Sequence, residues 1–327
     1  MKALYKKDGY RATISKGLQT LSRLKDRHVA DTKSKDEQIG ELKAALEKAD
    51  AIVIGAGSGL STSAGFTYSD ERFRRYFFDF ADAFGIDDIY SGGFYPFPSE
   101  EIRWAWWGRH IYFNRYVPAT YPVYDDLFSL VKDKNYFVIT TNVDHLFQKA
   151  GFDKKRLFYT QGDYGLFQRA DGKGKKTCDN ETWVMKAVEA QGFVKDEKGI
   201  YQVPDDGRLS LRLPTELIPR WPDDGSPVAM NLRTDDLFVE DEGWDRASAT
   251  YAAFLQKYEG ANVLYFELGV GSNTRVIIKY PFWQMTLDND RAVYVCLNRG
   301  EAFCPAALAR RSICLNADIG DVLKRLS

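Results

Sequence analysis

The chain lacks long apolar runs and any marked excess of charge, and each absence removes a class of protein. No stretch of about eighteen apolar residues occurs, and the opening MKALYKKDGYR lacks the apolar core of a signal peptide. The formal net charge is -1. Neither a nucleic acid nor a membrane surface is therefore an expected partner. These features together predict a cytoplasmic protein.

Cysteine and histidine are also scarce. There are four cysteines, none in CxxC spacing, and three histidines in 327 residues. Scattered cysteines favour a reducing compartment and give no zinc motif. With so few histidines, a general base of the ordinary kind has few candidates. The cysteines are Cys178, Cys296, Cys304 and Cys314.

A single amphipathic helix is predicted before the first strand. The segment SKDEQIGELKAALEKAD places Ile39, Leu42, Leu46 and Ala49 on one face at helical spacing, with Asp36 as a candidate N-cap. The helix leads directly into the apolar AIVIGAG.

Short apolar runs recur along the rest of the chain and alternate with helical segments. Runs of this kind predict an α/β fold whose mostly parallel sheet is covered on both faces. They are NYFVITT (135–141), RLFYT (156–160), ANVLYFELG (261–269), RAVYVCL (291–297) and SICL (312–315).

Two insertions interrupt this rhythm, one aromatic and helical, the other polar and rich in turns. We expect them to form a small module beside the sheet. The expected division is a helical N-terminal extension over 1–36, a main domain from 37–65, 131–168 and 234–327, and a small module from 66–130 and 169–233.

The aromatic stretch RWAWWGRHIYFNRY lies in the first insertion. Aromatic clusters usually form cores, and we predict a buried helix here. The alternative is that Trp106, Trp107 or Arg109 lines the entrance through which an acceptor substrate reaches the site.

The turn IVIGAGSGLSTSAG joins an apolar strand to Gly55, Gly57 and Gly59. Glycines let the backbone approach a diphosphate, and the next helix offers unpaired N–H groups. Steric reasons for glycine in such a turn are the alternative.

The glycine spacing also bears on the class of nucleotide-binding enzyme. The spacing is GxGxG rather than GxGxxG, and helical FFDFADAF follows where a ribose-binding strand would lie. A dehydrogenase is therefore the second candidate. The lysine of a GxxxxGK[ST] loop is absent, which disfavours an NTPase.

Polar side chains follow the next two strands. ITTNVDHLFQKAG places Thr141, Asn142 and Asp144 after one strand, where an amide and a carboxylate can grip a polar cofactor. Capping of the following helix is the alternative role for Asn142 or Asp144. RLFYTQGDYG ends the other strand in Gln161, an amide that exchanges no proton near neutral pH.

Four segments together resemble the sirtuin family. SGLSTSAG resembles the sirtuin GAGISTESG, and TTNVDHLFQKAG resembles TQNIDxLHxxAG. GVGSNT (269–274) and CLN (296–298) are similar to GTSLxVxP and IN, and the likeness runs in order from about residue 37 to the C-terminus. The resemblance implies a Rossmann-like, doubly wound parallel sheet, a smaller helical and ribbon module, and NAD as the cofactor.

The departures from that family are specific. Gln161-Gly162 stands where deacylating sirtuins carry His-Gly, and FTYSDERF replaces PDFR. Of two CxxC pairs only Cys178 is present, and Arg220 and Asp223 in PRWPDDGSP stand where cysteines would be. A structural zinc site needs about four ligands. We therefore expect a module lacking zinc.

Glutamine at this position resembles the macrodomain-linked class M sirtuins. That likeness implies a protein ADP-ribosyltransferase, a lipoyl carrier acceptor similar to the glycine-cleavage H protein, and a macrodomain hydrolase as partner. An NAD hydrolase, an NAD or ADP-ribose sensor and, less favoured, a deacylase are the alternatives. The implied catalytic set is Asn142, Asp144 and Gln161. The implied cofactor contacts are Ala56, Gly57, Ser58, Gly59, Ser61, Thr141, Asn142, Asp144, Gln161, Gly271, Ser272, Asn298, Arg299 and Asp318.

The amide suits that chemistry. Deacylation requires a ribose hydroxyl to lose its proton, which Gln161 cannot accept. A carboxylate acceptor is already ionised at neutral pH, with a reference pKa of about 4. Gln161 then has a positioning role, while Asn142 and Asp144 hold the nicotinamide ribose.

Overall fold

The computed structural model describes residues 14–15, 18–19, 28–29 and 33–326. Most of the expected helical extension over 1–36 lies outside those ranges. The chain divides into two compact units. The first comprises Met1–Gly65, Thr120–Gln161 and Glu242–Ser327, and the second comprises Phe66–Ala119 and Gly162–Asp241.

The units differ from the expected domain limits at three places, one of which is the segment 234–241, which falls in the second unit. The helix Val123–Val131 belongs to the first unit because it packs against the C-terminal helix Ile319–Leu326. The strand Gly162–Arg169 belongs to the second unit because it pairs antiparallel with Val228–Leu232. Pairing partners thus decide the limits, and they are invisible in the local sequence.

The strands are short, as is usual in compact domains. In chain order they are β1 His28–Val29, β2 Ala51–Ala56, β3 Tyr136–Thr140, β4 Leu157–Tyr159, β5 Gly162–Arg169, β6 Cys178–Asp179, β7 Val194–Lys195, β8 Tyr201–Gln202, β9 Val228–Leu232, β10 Val263–Leu268, β11 Val293–Leu297, β12 Cys304–Pro305 and β13 Ser312–Leu315.

The helices vary from single turns to four turns. They are α1 Lys35–Lys48, α2 Ser58–Ser63, α3 Glu71–Phe84, α4 Ile89–Gly92, α5 Glu100–Ile111, α6 Val123–Val131, α7 Leu146–Lys149, α8 Glu181–Ala190, α9 Glu242–Lys257, α10 Lys279–Asp288 and α11 Ile319–Leu326. A π-helical turn, Tyr112–Tyr116, extends α5.

The first unit contains a parallel sheet with the strand order β13-β11-β10-β2-β3-β4. Every residue of β2, β3 and β10 is buried. Strands covered on both faces read as continuous apolar runs, which is why the sequence revealed all six of them. The expected doubly wound α/β fold is confirmed. A short ladder, β1 with β12, is antiparallel.

The N-cap of helix α1 lies two residues before the predicted one. Ser34 is the N-cap, its Oγ accepts from the Glu37 N–H, and the Glu37 carboxylate accepts from the Ser34 N–H at 2.8 Å. This reciprocal pair is a capping box, and Asp36 lies inside the first turn. The predicted face is correct at Ile39 and Leu42, which are buried.

The second unit has a three-stranded antiparallel sheet, β6-β5-β9, and a separate ladder, β7-β8. The aromatic stretch is its core, because Trp104 and Trp106 on α5 are fully buried. Arg109 is buried as well and forms an ion pair with Asp79 at 2.6 Å. An entrance role for Trp106 or Arg109 is therefore excluded.

The segment PRWPDDGSP closes by backbone bonds and one ion pair. Trp221 N donates to Ser226 O at 2.8 Å, and Arg169 reaches Asp224 at 2.6 Å. Within the described residues no group of His, Cys, Asp or Glu is arranged to hold a metal. Likewise, none of the helices described is long and apolar enough to cross a membrane.

Candidate active site at the carboxyl edge of the parallel sheet

The six parallel strands end in one row. Neighbouring residues in that row are Tyr159, Thr140, Ala56, Leu268, Leu297 and Leu315. From β2 the chain goes to β3 on one side, while β10 lies on the other side. This point, where the strand order reverses, is where open α/β sheets bind ligands. The segments after these strands hold most of the residues of the candidate site.

The glycine turn after β2 packs against the segment after β10. Gly57 N donates to Leu268 O and Gly59 N to Gly269 O, both at 2.9 Å. A Cβ on Gly57 would lie 2.6 Å from Gly269 O, and one on Gly59 would lie 2.7 Å from Gly269 Cα. Both glycines are therefore required by backbone approach, as the steric alternative proposed.

Gly271 has no such constraint. A Cβ added there would meet no heavy atom within 4 Å, and its φ of -80° suits any residue. It precedes the short turn Ser272–Thr274, where Ser272 is exposed. The protein therefore leaves the backbone at Gly271 open.

Asn142 is held by both its main chain and its amide. Its N–H donates to Thr140 Oγ1 at 3.0 Å, while that hydroxyl donates to Ala56 O. Its Nδ2 donates to Gly57 O at 2.9 Å and to Ser61 Oγ at 3.0 Å. In the described part of the chain no hydrogen bond reaches Asn142 Oδ1. The oxygen is the free end of this amide.

Ser61 joins the two strand ends. Its Oγ donates to Asp144 Oδ2 at 2.5 Å and lies 2.8 Å from Tyr124 Oη. Asp144 Oδ1 accepts from Leu146 N at 3.1 Å, at the start of α7. The N-cap residue of α7 is His145, so neither Asn142 nor Asp144 is the cap, although Asp144 accepts from the first N–H of the helix. Both side chains are buried.

His145 follows at once with a φ of 66°, the one positive value outside glycine in the described residues. Such backbone is uncommon for a residue with a side chain and clusters at functional sites. Its ring stacks near Tyr159 with centroids 6.2 Å apart. This geometry turns the chain from β3 into α7 directly behind Asp144.

Gln161 lies two residues past the end of β4, and its amide makes a single long hydrogen bond within the part of the chain that the structure describes. Its Nε2 donates to Thr160 Oγ1 at 3.4 Å, a long bond, and its side chain is partly exposed. Thr160 in turn donates to Thr140 O at 3.0 Å. The hydroxyls of Thr140 and Thr160 thus connect the ends of β2, β3 and β4.

A second group of predicted residues follows β11 and β13. Asn298 Nδ2 donates to Val270 O at 3.0 Å. Asp318 accepts from Ser63 Oγ at 2.9 Å and from the exposed Arg299 at 3.2 Å. Ser63 lies at the end of α2, so this bond connects the glycine turn with the start of α11.

The structure brings the predicted residues to one edge of the sheet, and several of them form hydrogen bonds with other parts of the protein there. Ala56 and Thr141 contribute backbone contacts, with Thr141 N donating to Ala56 O at 3.0 Å, whereas Ser58 is exposed. Sequence reasoning missed Tyr124, Thr140, Thr160 and Ser63. The threonines read as ordinary strand residues, and Tyr124 lies on a helix that precedes β3.

Burial determines the chemistry of Tyr124. It is 2% exposed, and desolvation, reinforced by the nearby Asp144 charge, raises its pKa well above the usual value of about 10. The phenol is therefore protonated at neutral pH and is available as a donor.

These groups suit a polar dinucleotide. Asn142 Oδ1 accepts, the Gln161 amide both donates and accepts, and Gly271 leaves its backbone approachable. NAD, with ribose hydroxyls, a carboxamide and a diphosphate, matches this set of groups.

Comparison with known proteins identifies the family. No family model matches the chain. A protein ADP-ribosyltransferase of Staphylococcus aureus strain Mu50 is 34% identical over 294 residues, which cover 90% of this chain and 87% of the relative. A probable bifunctional ADP-ribose hydrolase/ADP-ribosyltransferase of Fusarium oxysporum f. sp. cubense is 28% identical over 86% of this chain, which spans 46% of that relative.

Solved structures show the same fold. A Sir2 enzyme matches with a TM-score of 0.52 at 16% identity, covering 89% of this chain and 96% of that one. A Sir2 homologue in complex with NAD matches with a TM-score of 0.51 at 13% identity, covering 91% and 95%. The chain therefore belongs to the family of NAD-dependent protein ADP-ribosyltransferases that includes the Staphylococcus relative, and it has the fold of the Sir2 enzymes.

Proposed function

We propose that this enzyme transfers ADP-ribose from NAD to a carboxylate side chain of a lipoyl carrier protein resembling the glycine-cleavage H protein. One observation carries the choice of a carboxylate: an amide, Gln161, follows β4, and among the described residues it makes a single side-chain hydrogen bond, to Thr160 at 3.4 Å. An amide accepts no proton near neutral pH. The acceptor must therefore arrive without a proton to lose.

NAD, when bound, supplies the ADP-ribosyl group, and nicotinamide leaves with the electron pair of the broken bond. An Asp or Glu acceptor is ionised at neutral pH because its reference pKa is about 4. Its oxygen forms the new bond, so no general base is required. Gln161 orients the reacting groups by hydrogen bonding, which is a positioning contribution.

Asn142 Oδ1 and Asp144 hold the nicotinamide ribose in this proposal. Asn142 is fixed by Gly57 O and Ser61 Oγ, so its oxygen is already oriented when the cofactor binds. We assign the other NAD contacts to the edge residues Ala56, Gly57, Ser58, Gly59, Ser61, Thr141, Gly271, Ser272, Asn298, Arg299 and Asp318.

The acceptor and the partner rest on the resemblance to class M sirtuins. The name of the Fusarium relative joins ADP-ribose hydrolase and ADP-ribosyltransferase, which supports a macrodomain hydrolase as functional partner of this chain. Free cysteines at all four positions support a cytoplasmic location.

The test is transfer to a purified carrier. The enzyme is incubated with labelled NAD and either the lipoylated or the unlipoylated H-like carrier, and mass spectrometry locates the product. We expect ADP-ribose on an Asp or Glu of the lipoylated carrier, and release by neutral hydroxylamine, which cleaves esters.

Three other results contradict the proposal. Free ADP-ribose formed equally with and without carrier indicates an NAD hydrolase, and no turnover indicates a sensor. Nicotinamide release that depends on an acetyl-lysine peptide indicates a deacylase. Transfer to a different protein contradicts only the choice of acceptor.

A further inference from the structure

We propose that Tyr124 is a positioning residue for ADP-ribosyl transfer and that it acts through Ser61 to keep the Asn142 amide oxygen directed away from the protein. Tyr124 lies on α6, in a part of the sequence that no catalytic motif touches. The inference rests on the proposed role of Asn142.

The hydrogen count at Ser61 gives the direction of each bond. A serine hydroxyl has one hydrogen and two lone pairs. Ser61 donates its hydrogen to Asp144 Oδ2 and accepts from Asn142 Nδ2. The second lone pair of Ser61 Oγ faces Tyr124 Oη, and the two oxygens lie 2.8 Å apart. Tyr124 must therefore be the donor of that bond, and the Ser61 hydroxyl is fully occupied.

The same count fixes the rotamer of Asn142. Its Nδ2 carries two hydrogens and lies near three acceptors: Gly57 O at 2.9 Å, Ser61 Oγ at 3.0 Å and Tyr124 Oη at 3.3 Å. Gly57 O only accepts, so the nitrogen and not the oxygen of the amide faces the protein. Exchanging the two ends would place Oδ1 against that carbonyl oxygen.

The packing and burial of Tyr124 suit it to hold Ser61. Its ring packs edge-on against Phe147 with centroids 4.9 Å apart, and the residue is buried. The packing sets the position of the hydroxyl, and burial keeps it protonated. With Phe at this position the ring contact persists while Ser61 loses its donor. Ser61 then keeps its bonds to Asp144 and Asn142 but loses the third bond that holds its hydroxyl in place, so the Asn142 amide is positioned less tightly.

The experiment compares Tyr124→Phe with Tyr136→Phe. Tyr136 is equally buried at 2% exposure, and its hydroxyl accepts from Asp153 N at 3.1 Å, at the amino end of β3. Each variant loses one buried tyrosine hydroxyl. We expect Tyr124→Phe to lower the transfer rate at saturating NAD about tenfold, with the NAD Kd changed less than about threefold. Tyr136→Phe should keep the parent rate.

A double-mutant cycle separates positioning from mere stability. If Tyr124 acts through Ser61, the loss caused by Tyr124→Phe should nearly vanish in a Ser61→Ala background. Additive losses, a parent rate for Tyr124→Phe, or equal losses in the two tyrosine variants would each overturn the proposal. Asn142→Ala tests the proposed function separately, because its rate does not depend on Tyr124 having a role.

Discussion

Gly57 and Gly269 meet backbone to backbone where β2 and β10 end. A Cβ on Gly57 would lie 2.6 Å from the Gly269 carbonyl oxygen, and a Cβ on Gly269, where φ is 62°, would lie 2.6 Å from Leu60 N. The glycines of this turn thus allow the ends of β2 and β10 to approach each other closely. In the proposed function, the diphosphate of NAD approaches the backbone of the segment that begins at Gly271.

Gly57→Ala and Gly271→Ala should therefore have opposite phenotypes. The first creates a backbone clash and should lower the free energy of unfolding by about 1–3 kcal/mol. The second clashes with nothing in the protein, so its unfolding should match the parent while NAD affinity falls about tenfold or more. Denaturant unfolding and calorimetric NAD titration measure the two quantities.

Gly40→Ala is the control for this pair. Gly40 lies inside α1, and a Cβ there meets no atom within 4 Å. The change should raise stability by about 1 kcal/mol and leave NAD affinity unchanged. Normal NAD affinity in Gly271→Ala would show that no ligand approaches that backbone.

A second prediction concerns pH. Because the Gln161 amide does not titrate, the transfer rate of the parent enzyme should show no ionisation of this side chain between about pH 6 and 8. Gln161→Ala should lower transfer without adding pH dependence, whereas Gln161→His should add one. Rate profiles across that range provide the test. A single ionisation in the parent that Gln161→Ala abolishes would contradict the positioning role.

A third prediction concerns the buried pair Glu267 and Lys279. Their charged atoms lie 2.7 Å apart with both side chains fully buried, and Tyr294 Oη donates to Glu267 at 2.6 Å. Glu267→Gln leaves the Lys279 charge unpaired and should destabilise the fold by about 3–5 kcal/mol. Glu267→Leu combined with Lys279→Met should recover most of that loss.

The same pair has a defined pH signature. Burial lowers the pKa of Lys279, but the Glu267 charge outweighs it, so the pKa is raised above the usual value. A raised folded pKa contributes stability that is complete below the unfolded pKa of about 10.4 and is lost as pH rises toward the folded one. Parent stability should fall above about pH 10, and the double variant should lack this component. A parent profile without it would show that the pair does not stabilise the fold.

The sequence reveals the sheet well and the site partly, for physical reasons. Strands buried on both faces appear as apolar runs, and side chains after parallel strands meet at one edge, so Asn142, Asp144 and Gln161 could be placed in advance. Ser34 was overlooked as a cap because Asp36 is also a good capping residue. Tyr124 could not be found, because its role exists only once α6 packs beside Ser61.

The most direct measurement pairs the transfer rate with NAD affinity in Asn142→Ala. The control is Asn135→Ala, which removes an exposed asparagine just before the same strand. We expect Asn142→Ala to lose at least about 100-fold in transfer, the scale of one positioned transition-state hydrogen bond. Its NAD Kd should change about tenfold or less, while Asn135→Ala behaves like the parent. Transfer by Asn142→Ala at the parent rate would contradict the role assigned to Asn142.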